Sequence, residues 1–284
     1  MKLQTIIDIK PSEWKIGYED KILMLGSCFS DEVGEQMKQR NLQVTCNPFG
    51  TLYNPLSIAQ AISLQPSDIS YQFYEGLWHS MAHHGSFSRP TREEAEAAVL
   101  TSIETMQKAL AEATVVIVTF GTAWVYELKD ERLKVKGERV VGNCHKLPES
   151  YFTRRRLTEE EIVAAWKPIL EQYKDKHWLF TVSPIRHVRD GLHENEISKA
   201  TLLLALEAIS HQHSAVSYFP SYEIMLDELR DYRFYADDLV HPSSLAVNYI
   251  WERFVDTFCT PQTKNEFVLQ HKRWKHEHHI PLHS

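Results

Sequence analysis

Cysteine is scarce and scattered in this chain. Its four copies, Cys28, Cys46, Cys144 and Cys259, include no C-x-x-C pair, so neither a thiolate zinc site nor a disulfide framework is expected. Long apolar runs are missing as well. No stretch approaches the roughly 18 residues of a membrane span. The first residues, MKLQTIIDIKPSEW, lack the apolar core and small-residue cleavage site of a secretory signal. A reduced, cytoplasmic chain without a membrane span is the expectation. An excess of basic charge is lacking too: the formal charge is −7, and Arg154-Arg155-Arg156 is the single tight basic run. A nucleic-acid partner needs a clustered basic face, so a small-molecule partner is expected instead. That run either faces solvent or meets an anionic substrate.

The chain has 284 residues, 43% hydrophobic and 24% charged, ordinary for a globular protein. That length buries a sizeable core, and no repeat or linker divides it. One domain over residues 1–284 is expected, with an insertion at 125–157. Histidine is abundant, at 15 copies. The His-rich tail at 270–284 reads as a flexible end, where His276, His278 and His279 would bind metal only adventitiously. His83-His84 and His211-x-His213 lack a third ligand at usable spacing, so no metal and no other cofactor is expected.

The rest is organised around KILMLGSCFSD, residues 21–31. A short apolar run ending in Gly26 and polar residues predicts a buried strand feeding a helix. Gly26 permits a sharp turn. Ser27 then stands at a strand's carboxyl end and near a helix's amino end, where unpaired amides favour developing negative charge. Two readings of Ser27 stay open, a nucleophile and a plain helix cap.

Alternation of strand and helix signals continues along the chain. A first helix is expected over 30–40 with Ser30 as its cap, a strand over 42–46, a stiff loop between Asn47-Pro48 and Asn54-Pro55, and a helix over 57–64. Residues 66–90 read as an irregular, aromatic and His-rich binding loop. Capping boxes at Thr91 and Thr158 open helices to about 113 and 173. Strands follow at 114–120, 177–182 and 215–219. Between the first two lies a hairpin-like excursion, VYELKD, ERLKVKG and ERVVGNCHK. Helices are expected over 196–211, from about 222, and from Pro242 to about 258. This order implies an α/β fold with a parallel sheet covered on both faces.

In such sheets ligands bind outside the carboxyl ends of the strands. Ser27, the Asn47 to Gly50 loop, Gly121-Thr122, Ser183 and Arg186-His187 all follow strand ends. Asp238-Leu239-Val240-His241 lies before the final helix. An Asp three residues ahead of a His can hold its Nδ1–H and free the far nitrogen to take a proton from a serine.

Gly26-Ser27-Cys28-Phe29-Ser30 resembles the motif that names the GSCFA-domain proteins of bacteria. Gly121 to Trp124, Asn143-Cys144-His145-Lys146, Ser183 to His187 and Asp238 to Pro242 resemble other segments of that family. The family is similar to the SGNH (GDSL-type) hydrolase superfamily. That resemblance implies a flavodoxin-like three-layer α/β/α sandwich with a central parallel sheet. It implies a serine hydrolase or O-acyltransferase acting on an acyl ester, such as that of a carbohydrate or glycolipid. Ser27 takes the nucleophile's place, His241 the base's and Asp238 the orienter's. Gly50 matches the block-two glycine of the oxyanion hole.

The pattern departs in two places. The first block reads Gly-Ser-Cys where the superfamily has Gly-Asp-Ser, which makes Cys28 a rival nucleophile. The block-three Gly-x-Asn-Asp has no counterpart, since Ala123 stands where the asparagine would be. Thr122, Asn143 and His145 are the candidates to replace that donor, while Arg186 and His187 are candidates to grip a carboxylate or phosphate. Two other functions therefore stand beside the serine enzyme: a Cys28-based acyl transferase, and a non-catalytic small-molecule or glycan-binding module.

Overall fold

The computed structural model describes residues 4–129 and 140–277. The middle of the excursion, ERLKVKG, and the last residues of the tail lie outside them.

Strand β1 (Lys21–Gly26) leads into helix α1 (Cys28–Lys38), followed by β2 (Gln43–Cys46) and α2 (Pro55–Ser63). A hairpin of β3 (Tyr71–Tyr74) and β4 (Leu77–Ser80) precedes the long α3 (Arg92–Glu112) and β5 (Val115–Phe120). A second hairpin, β6 (Trp124–Leu128) with β7 (Phe152–Arg156), leads to α4 (Glu159–Gln172), β8 (His177–Val182) and α5 (Leu192–Gln212). The chain closes with β9 (Val216–Phe219), a short α6 (Ser221–Glu223) continuing as a π turn, α7 (Ser244–Phe258) and α8 (Pro261–Glu277).

The main sheet has the order β2-β1-β5-β8-β9, and every neighbouring pair is parallel. Its strands are apolar on both faces, as a sheet covered on both sides requires. Leu23, Leu25, Val116, Val118, Trp178 and Phe180 join the side chains of α2 to α5 in one core. Ile22, Met24, Val115, Ile117 and Leu179 point the other way, into α1, α7 and α8. The result is the expected three-layer α/β/α sandwich. The chain leaves β1 toward β2 on one side and returns across it to β5, so a crevice opens between β1 and β5 at their carboxyl ends.

Three local expectations are corrected. Helix α1 begins at Cys28, which makes Ser27 rather than Ser30 the residue at its N-cap. Ser30 is buried and donates to Thr119 Oγ1 at 2.8 Å instead. Residues 66–90 are not one irregular loop, because β3 pairs with β4 around a two-residue turn. Glu75 and Gly76 both take positive φ there, 48° and 78°, as a tight hairpin turn requires. The tail is helical as far as Glu277: Phe267 is buried against Trp251 at 5.7 Å between ring centroids and ties α8 to the core. Among the described residues no helix is long and apolar enough to cross a membrane.

Candidate active site

Gly26 shapes the turn that presents Ser27. Its φ is +135°, and a Cβ there would lie 2.2 Å from the Thr119 carbonyl oxygen on the adjacent strand. Glycine alone fits this close approach. The turn is held by the next loop: the Gly26 amide donates to Asn47 Oδ1 at 2.8 Å, and the Leu52 amide to the Gly26 carbonyl at 3.0 Å. Ser27 is 1% exposed. Its hydroxyl makes no capping bond to α1, and Oγ has no hydrogen-bond partner among the described residues. A side chain kept only to cap the helix would accept from an amide of the first turn. This one does not.

His241 is set by its own loop. The Asp238 carboxylate accepts the His241 Nδ1 at 2.6 Å through one oxygen. Through the other it accepts the amides of Val240 at 2.9 Å and His241 at 3.0 Å. Those amides, His241's foremost, and the ring hold the carboxyl down to about 2. A proton on Nδ1 leaves Nε2 free to accept one. The Arg186 amide donates to the Val240 carbonyl at 3.2 Å, which ties this loop to the exit of β8.

Ser27 and His241 line one cavity of about 700 Å3 at the carboxyl ends of the strands. No hydrogen bond joins them in this structure. Catalytic hydrogen bonds of this type commonly form only once substrate is in place.

The other candidates divide. Cys28 reaches the cavity, but burial, helped by Asp31 and Glu32, raises its thiol pKa. A thiolate nucleophile needs the opposite shift. Gly50 is corrected: its amide donates to the Asn47 carbonyl at 2.8 Å, and it packs against His84 rather than lining the cavity. The amides of Gly121 and Thr122 both donate to the Tyr53 carbonyl, at 2.8 and 2.9 Å. The Thr122 hydroxyl lies 3.1 Å from Ser198 Oγ and accepts the Trp124 amide at 3.1 Å. Asn143 reaches the cavity, with its carbonyl oxygen taken by the His145 amide at 2.8 Å. His145 Nε2 lies 2.8 Å from the Ser80 carbonyl, and burial lowers the ring to about 4. Arg186 lays its guanidinium over Tyr235 at 4.1 Å and Tyr232 at 5.4 Å. His187 borders the cavity with Nε2 buried and unpartnered among the described residues.

Sequence reasoning missed the wall that faces this machinery. Tyr126 and Arg154 are cross-strand partners on β6 and β7, and Arg154 stacks on Trp124 at 4.5 Å while its guanidinium is paired with Asp190. Arg155 is bound by Glu127 and Glu161, each at 2.8 Å, so the basic run is no open positive patch. Arg189 pairs with Glu149 at 2.9 Å, in a wall rich in aromatic faces. Lys199 was missed as well. It is fully buried and donates to the carbonyls of Gly121 at 2.7 Å and Ser183 at 2.8 Å, tying the exits of β5 and β8 together. One signal could have found it. Lys199 lies on the same helical face as Leu202 and Leu206, where a charge must be partnered to be tolerated.

Two buried imidazoles beside the cavity give a stability prediction. Burial lowers His83 to about 3 and His145 to about 4, both below the ordinary value of 6.5. Between those limits the unfolded chain binds more protons than the folded one. Stability is therefore full above pH 6.5 and falls as the pH drops toward 4, by on the order of 1 kcal/mol per histidine per pH unit. Urea midpoints across that range should show the decline, and His83→Gln should flatten it. Equal slopes for both proteins would remove His83 as a contributor.

The architecture and the strand-end cavity define the class, a flavodoxin-like α/β sandwich with a serine and an Asp-held histidine on one crevice. The GSCFA family model matches residues 21–254, and the chain belongs to the GSCFA family. No curated protein sequence matches it. Among solved structures it is similar to a family two carbohydrate esterase from Clostridium thermocellum in complex with cellohexaose. Identity is 11% and the TM-score 0.39, over 89% of this chain and 66% of that one. Among the described residues no group of three or more His, Cys, Asp and Glu side chains is placed to hold a metal.

Proposed function

We propose that this protein is a serine hydrolase or O-acyltransferase that acts on an acyl ester, with a carbohydrate or glycolipid as the acyl-bearing or acyl-accepting partner. The observation that carries the reading is the meeting, in one cavity, of an uncapped buried Ser27 hydroxyl and an imidazole held by Asp238. Ser27 Oγ attacks the acyl carbonyl while His241 Nε2 takes its proton. Asp238 fixes the tautomer and stabilises the imidazolium. Collapse of the intermediate breaks the ester bond and returns the proton to the leaving alcohol, and water or an acceptor hydroxyl then takes the acyl group. The Ser27 amide makes only a long 3.3 Å bond to the Thr119 carbonyl and supports the oxyanion as one donor. The aromatic faces of Trp124, Tyr126 and Phe152 favour a sugar ring beside the acyl group.

A fluorophosphonate probe tests this reading. The expected result is a covalent adduct that maps to the peptide bearing Ser27, formed about 10²- to 10⁴-fold more slowly in Asp238→Asn, where the orienting carboxylate is lost. A folded wild-type chain that takes no phosphonate would favour the binding-module reading, and an adduct on Cys28 would favour the thiol one.

A further inference from the structure

We propose that His187 donates the side-chain hydrogen bond to the oxyanion, through Nε2–H, in the place where the superfamily's block-three asparagine is missing. The proposal rests on the reading of Ser27 as nucleophile. Ala123, which stands at the asparagine's position, is fully buried in the core and has no donor to offer. A replacement must come from another element that reaches the same crevice.

Eight buried side-chain polar atoms lack a hydrogen-bond partner among the described residues, and two of them belong to Ser27 and His187. Both residues line the same cavity, as do three others of the eight, Trp124, Tyr126 and Arg154. A buried donor without a partner is costly, and a structure that keeps one needs a reason. A bond formed only when substrate charge develops is such a reason.

The surroundings hold this ring in place. Its backbone amide donates to Asn195 Oδ1 at 2.9 Å, and the ring stands edge-on to Tyr53 at 6.0 Å. Gly121 makes room for it. That glycine has no positive φ to account for it, yet a Cβ there would come within 3.4 Å of His187 Nε2 and 3.0 Å of the Tyr53 carbonyl. Burial, with Lys199, Arg154 and His241 nearby, lowers the ring to about 3, so it stays neutral. A neutral imidazole with its proton on Nε2 donates a hydrogen bond without giving the proton away.

Three competing donors are otherwise engaged. Gly50's amide serves Asn47, the Thr122 hydroxyl pairs with Ser198, and His145 Nε2 meets the Ser80 carbonyl. The rivals are the side-chain amide of Asn143 and two donors that are likewise buried, unpartnered among the described residues and on this cavity, Trp124 Nε1–H and the Tyr126 hydroxyl.

The step balances without any further reactant. The bond from Ser27 Oγ to the acyl carbon forms as the carbonyl π pair moves to oxygen, and His241 receives the serine proton. His187 keeps its own proton throughout and only shares it with the oxyanion.

The test uses the full chain, p-nitrophenyl acetate and a fluorophosphonate. His187→Ala is expected to lower kcat about 10²- to 10³-fold with KM nearly unchanged. His187→Gln, which keeps an N–H, should recover at least about tenfold of that loss, consistent with a donor rather than a packing role. In ¹⁵N-histidine-labelled protein, phosphonylation of Ser27 should move one ring N–H proton downfield, a signal absent from His187→Gln. Wild-type kcat in folded His187→Ala overturns the assignment. So does the full loss appearing in Asn143→Ala, Trp124→Phe or Tyr126→Phe instead, or a ring-proton spectrum that phosphonylation leaves unmoved. The spectrum decides even where the alanine variant does not fold. A wild-type chain that takes no phosphonate at Ser27 and turns over no ester defeats the underlying nucleophile reading. Labelling with indifferent His187 variants defeats only this assignment.

Discussion

Ser27→Ala and His241→Ala are each expected to lower kcat on a small acyl ester by about 10⁵- to 10⁶-fold, with no larger loss when the two are combined. The reason is mutual dependence: a serine without its base is a poor nucleophile at neutral pH, and the base alone has nothing to activate. The Ser27 hydroxyl is buried but makes no hydrogen bond among the described residues, so alanine removes no side-chain hydrogen bond, and the thermal midpoint should stay near wild type. His241 is half exposed, and its loss should be equally mild for stability. Cys28→Ala should keep wild-type turnover, because burial disfavours the thiolate. Single-turnover kinetics on the three variants, with circular dichroism to confirm folding, separate the cases. Turnover close to wild type in folded Ser27→Ala would end the assignment of the nucleophile.

The second large effect is expected one residue earlier. Gly26→Ala places a methyl group 2.2 Å from the Thr119 carbonyl oxygen and puts a non-glycine residue at φ +135°. Both faults fall on β1, whose neighbours β2 and β5 hold it by backbone bonds on either side. The atoms nearest that methyl are all Thr119 backbone, so backbone must shift. A destabilisation of about 2–4 kcal/mol follows, read as a lowered urea midpoint. The labelling rate should fall with it, since any shift between β1 and β5 moves Ser27 away from the crevice. A folded variant labelled at the wild-type rate would show that the turn's strain is irrelevant to the site.

Much of this architecture is legible in the residues, for physical reasons. Apolar runs such as TVVIVTF and HWLFTV have no polar face, which only a strand buried on both sides tolerates, and the structure places both inside the sheet. Thr158 and Glu161 form the capping box that their spacing announces. Tertiary packing hid the rest. The β3–β4 hairpin turns on Glu75-Gly76, a pair weaker as a turn signal than Asn-Gly, and it disappeared among aromatic and histidine residues. Helix α8 has few apolar side chains, and Phe267 alone among its hydrophobic residues is buried, so its composition resembles a loose end. Strand-end placement singled out Ser27 and the Asp-x-x-His spacing singled out Asp238 and His241, and Ser27 and His241 line one cavity. The fate of an amide depends on its neighbour's carbonyl, which spacing does not encode. That is why Gly50 looked available for an oxyanion and is bound to Asn47 instead.

The division of the crevice between the first strand and the last loop bears on how the chain comes to life. Ser27 follows β1, and β2, β5, β8 and β9 all lie between it and His241 along the chain. On the proposed reading, a chain cut anywhere between them keeps at most one of the two groups, and the serine gains its base only once the sheet has closed. Covalent probe uptake is then expected to report an assembled sheet.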